Sequence, residues 1–142
     1  MRHFLLDTNV VIDFLTDRRP FSTWAARLFT FAEKGKVKLY VSAVSYNNTY
    51  YIIKKLTSHK HTLHILNELE AMTETIDISG DIVRQALATD FKDFEDALQY
   101  SSARSNKKIE AIVTRNRADF KTGKLSVLSP EEAKGMLESD EH

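Results

Sequence analysis

The chain opens on a short apolar run, His3-Phe4-Leu5-Leu6, that stops at Asp7-Thr8-Asn9. Such a run reads as a buried strand, and the polar trio as the cap of a helix over residues 10–15. Asp17-Arg18-Arg19-Pro20 breaks that helix. Ser22 is placed to cap a second one, in which Trp24, Ala25, Leu28, Phe29, Phe31 and Ala32 share a face. Gly35 stands where a left-handed helix end favours glycine. Residues 36–41 alternate, with Val37, Leu39 and Val41 on one side of a second strand.

The alternation of elements continues. Ser42 caps a helix to about residue 56, and Leu63, Leu66, Leu69 and Met72 repeat at helical spacing. A third strand is expected over 75–78, helices over 80–87 and 94–104, and a fourth strand from Ile109 through Val113, ending at Thr114. Phe91 and Phe94 are expected to anchor the turn before the second of those helices. Residues 125–128 form a last strand, and Ser129-Pro130-Glu131-Glu132 opens a last helix. Only the last two strands are close enough in sequence for a hairpin. The class is therefore α/β, a three-layer α/β/α sandwich around a mostly parallel sheet. The expected organisation is one domain over 1–138 and a frayed acidic tail over 139–142.

Composition narrows the chemistry. With 142 residues there is room for one domain, and the absence of cysteine excludes disulfides, thiolate metal sites and a cysteine nucleophile. No apolar run approaches the ~20 residues of a membrane span, and no basic, apolar leader is visible. A soluble cytoplasmic protein without membrane contact is the expectation. Lys and Arg together number 20, as do Asp and Glu, so any case for a nucleic-acid partner has to be local. The stretch from Arg104 to Lys124 is such a place. It holds Lys107, Lys108, Arg115, Arg117 and Lys121 against Glu110 and Asp119.

In parallel sheets, ligands bind beyond the carboxyl ends of the strands. Asp7 follows the first strand, Ser42, Ser45 and Asn48 follow the second, and Thr114, Asn116 and Asp119 follow the fourth. Asp93 and Asp96 share a face of the helix between. Each acid has a plain alternative as a helix cap or first-turn residue. Together they are expected to converge on one edge. Clustered carboxylates need a counter-charge, and oxygen donors without nearby Cys or His suit magnesium or manganese.

Four stretches then carry a family resemblance: Leu5-Leu6-Asp7-Thr8-Asn9-Val10-Val11-Ile12-Asp13, Val41-Ser42-Ala43-Val44-Ser45, Phe94-Glu95-Asp96-Ala97-Leu98, and Ala111-Ile112-Val113-Thr114-Arg115-Asn116-Arg117-Ala118-Asp119-Phe120. In order and spacing the chain resembles the PIN-domain nucleases, within them the VapC-like toxin group. The resemblance implies an Mg2+- or Mn2+-dependent endoribonuclease leaving 5′-phosphate and 3′-hydroxyl ends. Its acids fall on Asp7, Asp96 and Asp119, the last one turn beyond Asn116, where the family's fourth acid often falls. The family's remaining acid falls on Asn48, which brings an oxygen without a charge. Asp7, Asp96 and Asp119 are therefore the expected catalytic and metal-holding residues, converging on one ion, with Asn48, Thr114 and Asn116 in support. Arg115, Arg117, Lys107 and Lys108 border the proposed edge as expected RNA contacts. A toxin role implies an antitoxin partner. Homodimerisation is usual in the family, and the helices of Trp24, Phe31, Tyr50 and Tyr51 are candidates for that contact.

Two other readings compete. A non-catalytic PIN-fold RNA-binding module would tolerate Asn48 and Asn116. A haloacid-dehalogenase-type phosphatase wants a second acid two residues after the first, and Asn9 stands there. His59, His61 and His64 are read as surface or packing residues.

Overall fold

The computed structural model describes residues 1–120 and 124–141. The described residues form strands β1 (Arg2–Leu6), β2 (Val37–Ser42), β3 (Glu74–Ile76), β4 (Ala111–Val113) and β5 (Ser126–Leu128), joined in the order β3-β2-β1-β4-β5. Every pairing is parallel, including β4 with β5, where the expectation left room for a hairpin. Residues 114–125 supply roughly the dozen that a parallel crossover needs. Part of that stretch is a 3₁₀ turn at Arg117–Phe120.

Helices α1 (Thr8–Leu15), α2 (Phe21–Glu33), α3 (Ala43–Lys54), α4 (His59–Met72), α5 (Gly80–Leu87), α6 (Phe94–Ser105) and α7 (Pro130–Asp140) cover the sheet. The pleat of β1 explains the layering, because successive side chains point to opposite faces. Phe4 and Leu6 pack with Val10 of α1, Leu28 and Phe31 of α2, Leu69 of α4 and Leu137 of α7. Leu5 points the other way, into a second core with Tyr40, Ile112, Tyr100 of α6 and Phe120. Strands buried on both faces need the uninterrupted apolar run with which the chain opens.

Several local expectations are corrected. Ser22 does not cap α2: its hydroxyl donates to Asp17 Oδ1 at 2.8 Å, and the helix starts after Pro20, whose ring fixes a helical φ. Helix α7 runs through Asp140, whose Oδ2 accepts from Arg2 Nε at 2.7 Å, while Arg2 Nη1 holds Glu110 at 2.5 Å. His142 lies outside the described residues. Ser129 does open α7, with a complete capping box to Glu132. Gly35 takes φ 73° at the end of α2, as its position suggests. Phe31 is fully buried and has no surface to offer a second subunit, whereas Tyr51 is 58% exposed. No described helix is long and apolar enough to cross a membrane.

Candidate active site

The sheet places Asp7. Its backbone N–H continues the β1–β4 ladder by donating to the Val113 carbonyl at 2.9 Å, so Asp7 and Thr114 leave adjacent strands side by side. Thr114 Oγ1 then donates to Asp7 Oδ2 at 2.7 Å. Asp7 is itself the cap of α1, accepting from the Thr8 N–H at 2.7 Å, although Thr8 and Asn9 were available for that task. Asn9 Nδ2 donates to Oδ2 at 3.2 Å and Gln99 Nε2 to Oδ1 at 2.7 Å. Four donors thus hold a carboxylate that is only 5% exposed. Burial pushes the Asp7 carboxyl above its ordinary range and the Glu95 charge adds to this, while the bonds from Thr114, Gln99 and Thr8 pull the other way.

Helix α6 delivers the next acids. Asp93 is its cap, accepting from the Asp96 N–H at 3.1 Å, and Glu95 and Asp96 fill the first turn. Glu95 Oε2 accepts from Thr8 Oγ1 at 2.6 Å. Phe91 anchors this turn by packing its ring against Tyr100 and Phe120. Phe94 was expected to help and does not: it is 47% exposed, since its position on α6 faces away from the core.

After β4 the loop turns at Asn116, whose carbonyl accepts from the Asp119 N–H at 3.0 Å. Phe120 is buried under the turn, which leaves Asp119 facing out. Arg115 is tied down differently. Its guanidinium grips buried Asp13 of α1 and lies 4.5 Å from the centre of the Phe21 ring. Arg117 is exposed and pairs with Glu132 at 3.1 Å.

These segments meet in a cavity of about 440 Å³ lined by Asp7, Thr8, Asn9, Ile12, Asp93, Glu95, Asp96, Asn116 and Asp119. Five carboxylates line it, and among the described residues no Lys or Arg does. Burial, then the charges of Asp7, Asp93, Asp119 and Glu95, push Asp96 up to about 7. A second cavity shares Asn116 and Asp119 and is bordered by Arg115 and Arg117.

The trio Asp7, Asp96 and Asp119 therefore lines one cavity, but it is not a finished coordination cluster. Among the described residues, no three His, Asp or Glu side chains are grouped closely enough to hold an ion as they stand. Like charges without a counter-charge keep apart, and magnesium is commonly held by one or two carboxylates, with waters and substrate phosphates completing its shell. The donor chemistry fits a hard divalent cation: every candidate atom is oxygen and the cavity is rich in negative charge.

Other expected site residues lie elsewhere. Asn48, half-buried on α3, does not line the cavity. Lys107 and Lys108 do not border this edge. They follow the far end of α6, which runs back along the sheet for roughly 18 Å at 1.5 Å per residue, and they precede β4. His59 bonds Tyr50 and His64 pairs with Glu68 on the surface, matching the packing reading. The sequence reading missed Glu95 and Gln99 as site residues. Their four-residue spacing, which puts both on the face of α6 that carries Asp96's turn toward Asp7, was the available signal.

A family model described as PIN domain matches residues 3–118. DNA-bound VapBC from Salmonella typhimurium is similar in structure, with a TM-score of 0.70 and 16% identity over 92% of this chain and 99% of that one. A toxin–antitoxin complex from Klebsiella pneumoniae gives 0.66 and 26% identity over 89% of this chain and 96% of that one. The Mycobacterium tuberculosis toxin VapC20, described as cleaving the sarcin–ricin loop, gives 0.60 and 17% identity over 77% of this chain and 86% of that one. The chain matches no curated protein sequence. The matched residues run from β1 into the loop bearing Asn116, and with an all-parallel sheet that carries acids at its carboxyl edge they place this chain in the PIN-domain family.

Proposed function

We propose that the chain is a divalent-metal-dependent endoribonuclease and the toxin of a toxin–antitoxin pair. The observation that carries this reading is the single cavity lined by five carboxylates at the carboxyl edge of the sheet, with Asp7 buried at its base. Asp7, Asp96 and Asp119 would hold the ion, Mg2+ or Mn2+, with Asn116 offering a neutral oxygen. When bound, such an ion polarises a phosphodiester and lowers the pKa of a water at the site.

The chain's own residues prepare the site. Thr114, Gln99, Asn9 and the Thr8 N–H fix the direction of the Asp7 carboxylate, so that it needs little reorganisation. Asp93 closes the start of α6 and sets the direction of its first turn, where Asp96 sits. Arg117, exposed beside the acidic cavity, serves as a contact to a neighbouring phosphate. Arg115 borders the same side, but its charge is shared with Asp13, so its first effect is to hold the loop. Lys107 and Lys108 would meet only RNA long enough to reach around the fold.

The toxin role draws on the structural likeness to VapBC complexes, and it implies an antitoxin that covers the acidic edge. Exposed Tyr51 on α3 is a candidate contact for a homodimer.

The test is cleavage of RNA with added Mg2+ or Mn2+. Asp7→Asn should abolish it with the fold intact, and a chelator should do the same. Undiminished cleavage in either case removes the metal mechanism. The alternative, a non-catalytic RNA-binding module, is favoured by Asn48 and by the open spacing of the acids. It predicts RNA binding without cleavage at any metal concentration.

A further inference from the structure

The family resemblance places an acid at position 48, where this chain has Asn. Position 48 lies three residues beyond Ser45 on α3, and therefore on the same face of the helix. Ser45 Oγ is 2.7 Å from Thr8 Oγ1, so this face of α3 approaches the active-site edge through Thr8. From the other side, α6 brings Glu95 to the same hydroxyl at 2.6 Å.

The hydrogen bonds have a direction. A carboxylate only accepts, and a hydroxyl has one proton to give. Thr8 donates to Glu95, so Ser45 must donate to Thr8. Gln99 Nε2 adds a longer contact to Glu95 at 3.4 Å, from the same amide that donates to Asp7 at 2.7 Å. Glu95 is thus oriented inward, within one amide group of Asp7, and lines the acidic cavity. An acid kept in the first turn only for the helix dipole would face water instead.

We propose that Glu95, from α6, supplies to the divalent-cation site the negative charge that the family pattern supplies from position 48 on α3. This rests on the metal-dependent reading above.

The experiment measures Mn2+ binding to the purified full chain by calorimetry, without RNA, for the unaltered protein and Glu95→Gln. Glu95→Gln removes the charge and retains an oxygen that accepts from Thr8, so the fold should persist, as circular dichroism would verify. Its affinity should fall about ten-fold or more, the scale of losing a group that supports a metal site. Unchanged affinity in Glu95→Gln overturns the proposal and leaves the metal reading standing. Absence of Mn2+ binding by the unaltered chain would instead defeat the metal reading itself, and this proposal with it.

Discussion

Arg115 closes a two-pronged ion pair on Asp13, Nε to Oδ2 at 2.6 Å and Nη2 to Oδ1 at 3.3 Å. The carboxylate is 1% exposed, so its charge depends on this partner. The pair also ties the loop of Asn116 and Asp119 to α1, whose first residues stand beside Asp7. Arg115→Ala should cost roughly 3 kcal/mol in a urea titration, because it leaves a buried charge unpaired. Arg115→Lys should recover little, since an ammonium lacks the planar fork that meets both carboxylate oxygens of Asp13. A variant as stable as the parent would show that the pair does not hold the loop.

The metal-free chain should lose stability as pH rises from about 4 to about 7. Asp96 is raised from its ordinary 3.8 to about 7. In that window the folded state binds the proton and the unfolded state does not, so stability is greatest at the acidic end and levels off above 7. Asp7 is shifted in the same direction and steepens the trend. The slope should flatten in Asp96→Asn. A urea midpoint that climbs between pH 4 and 7 would contradict the charge repulsion described for the cavity.

Gln99 is fully buried, and its amide donates to Asp7 at 2.7 Å with a longer contact to Glu95 at 3.4 Å. Gln99→Leu is close in size and removes the donor to Asp7. It should cost about 1–3 kcal/mol in thermal unfolding, the range for buried polar groups left without a partner. Activity should fall more steeply than the stability loss accounts for, since Asp7 loses its fixed direction. Full activity at a temperature where the variant is folded would remove Gln99 from the site.

Arg117→Ala should weaken RNA binding with little dependence on sequence. The slope of log affinity against log salt should shrink by about one, as for a single phosphate contact. Filter binding at several salt concentrations reads this directly. An unchanged slope would leave Arg117 as a surface partner of Glu132 alone.

Much of the molecule was legible along the chain. The apolar run Phe4–Leu6 marked the fully buried part of β1 and the acid behind it, because the segment covered on both faces of the sheet is apolar. Ser129-Pro130-Glu131-Glu132 announced α7, because capping is local chemistry between residues three apart. The acids at 7, 96 and 119 were singled out by the family resemblance, and the fold brings all three to the lining of one cavity. Tertiary structure decided the rest. That Gln99 and Thr114 point at Asp7, that Arg115 spends its charge on Asp13, and that Lys107 and Lys108 sit a helix length away all depend on strand order and on the direction in which α6 runs. Periodicity tells which side of a helix is buried, but contacts between residues ~90 or more apart arise only when the sheet closes and sets its neighbours.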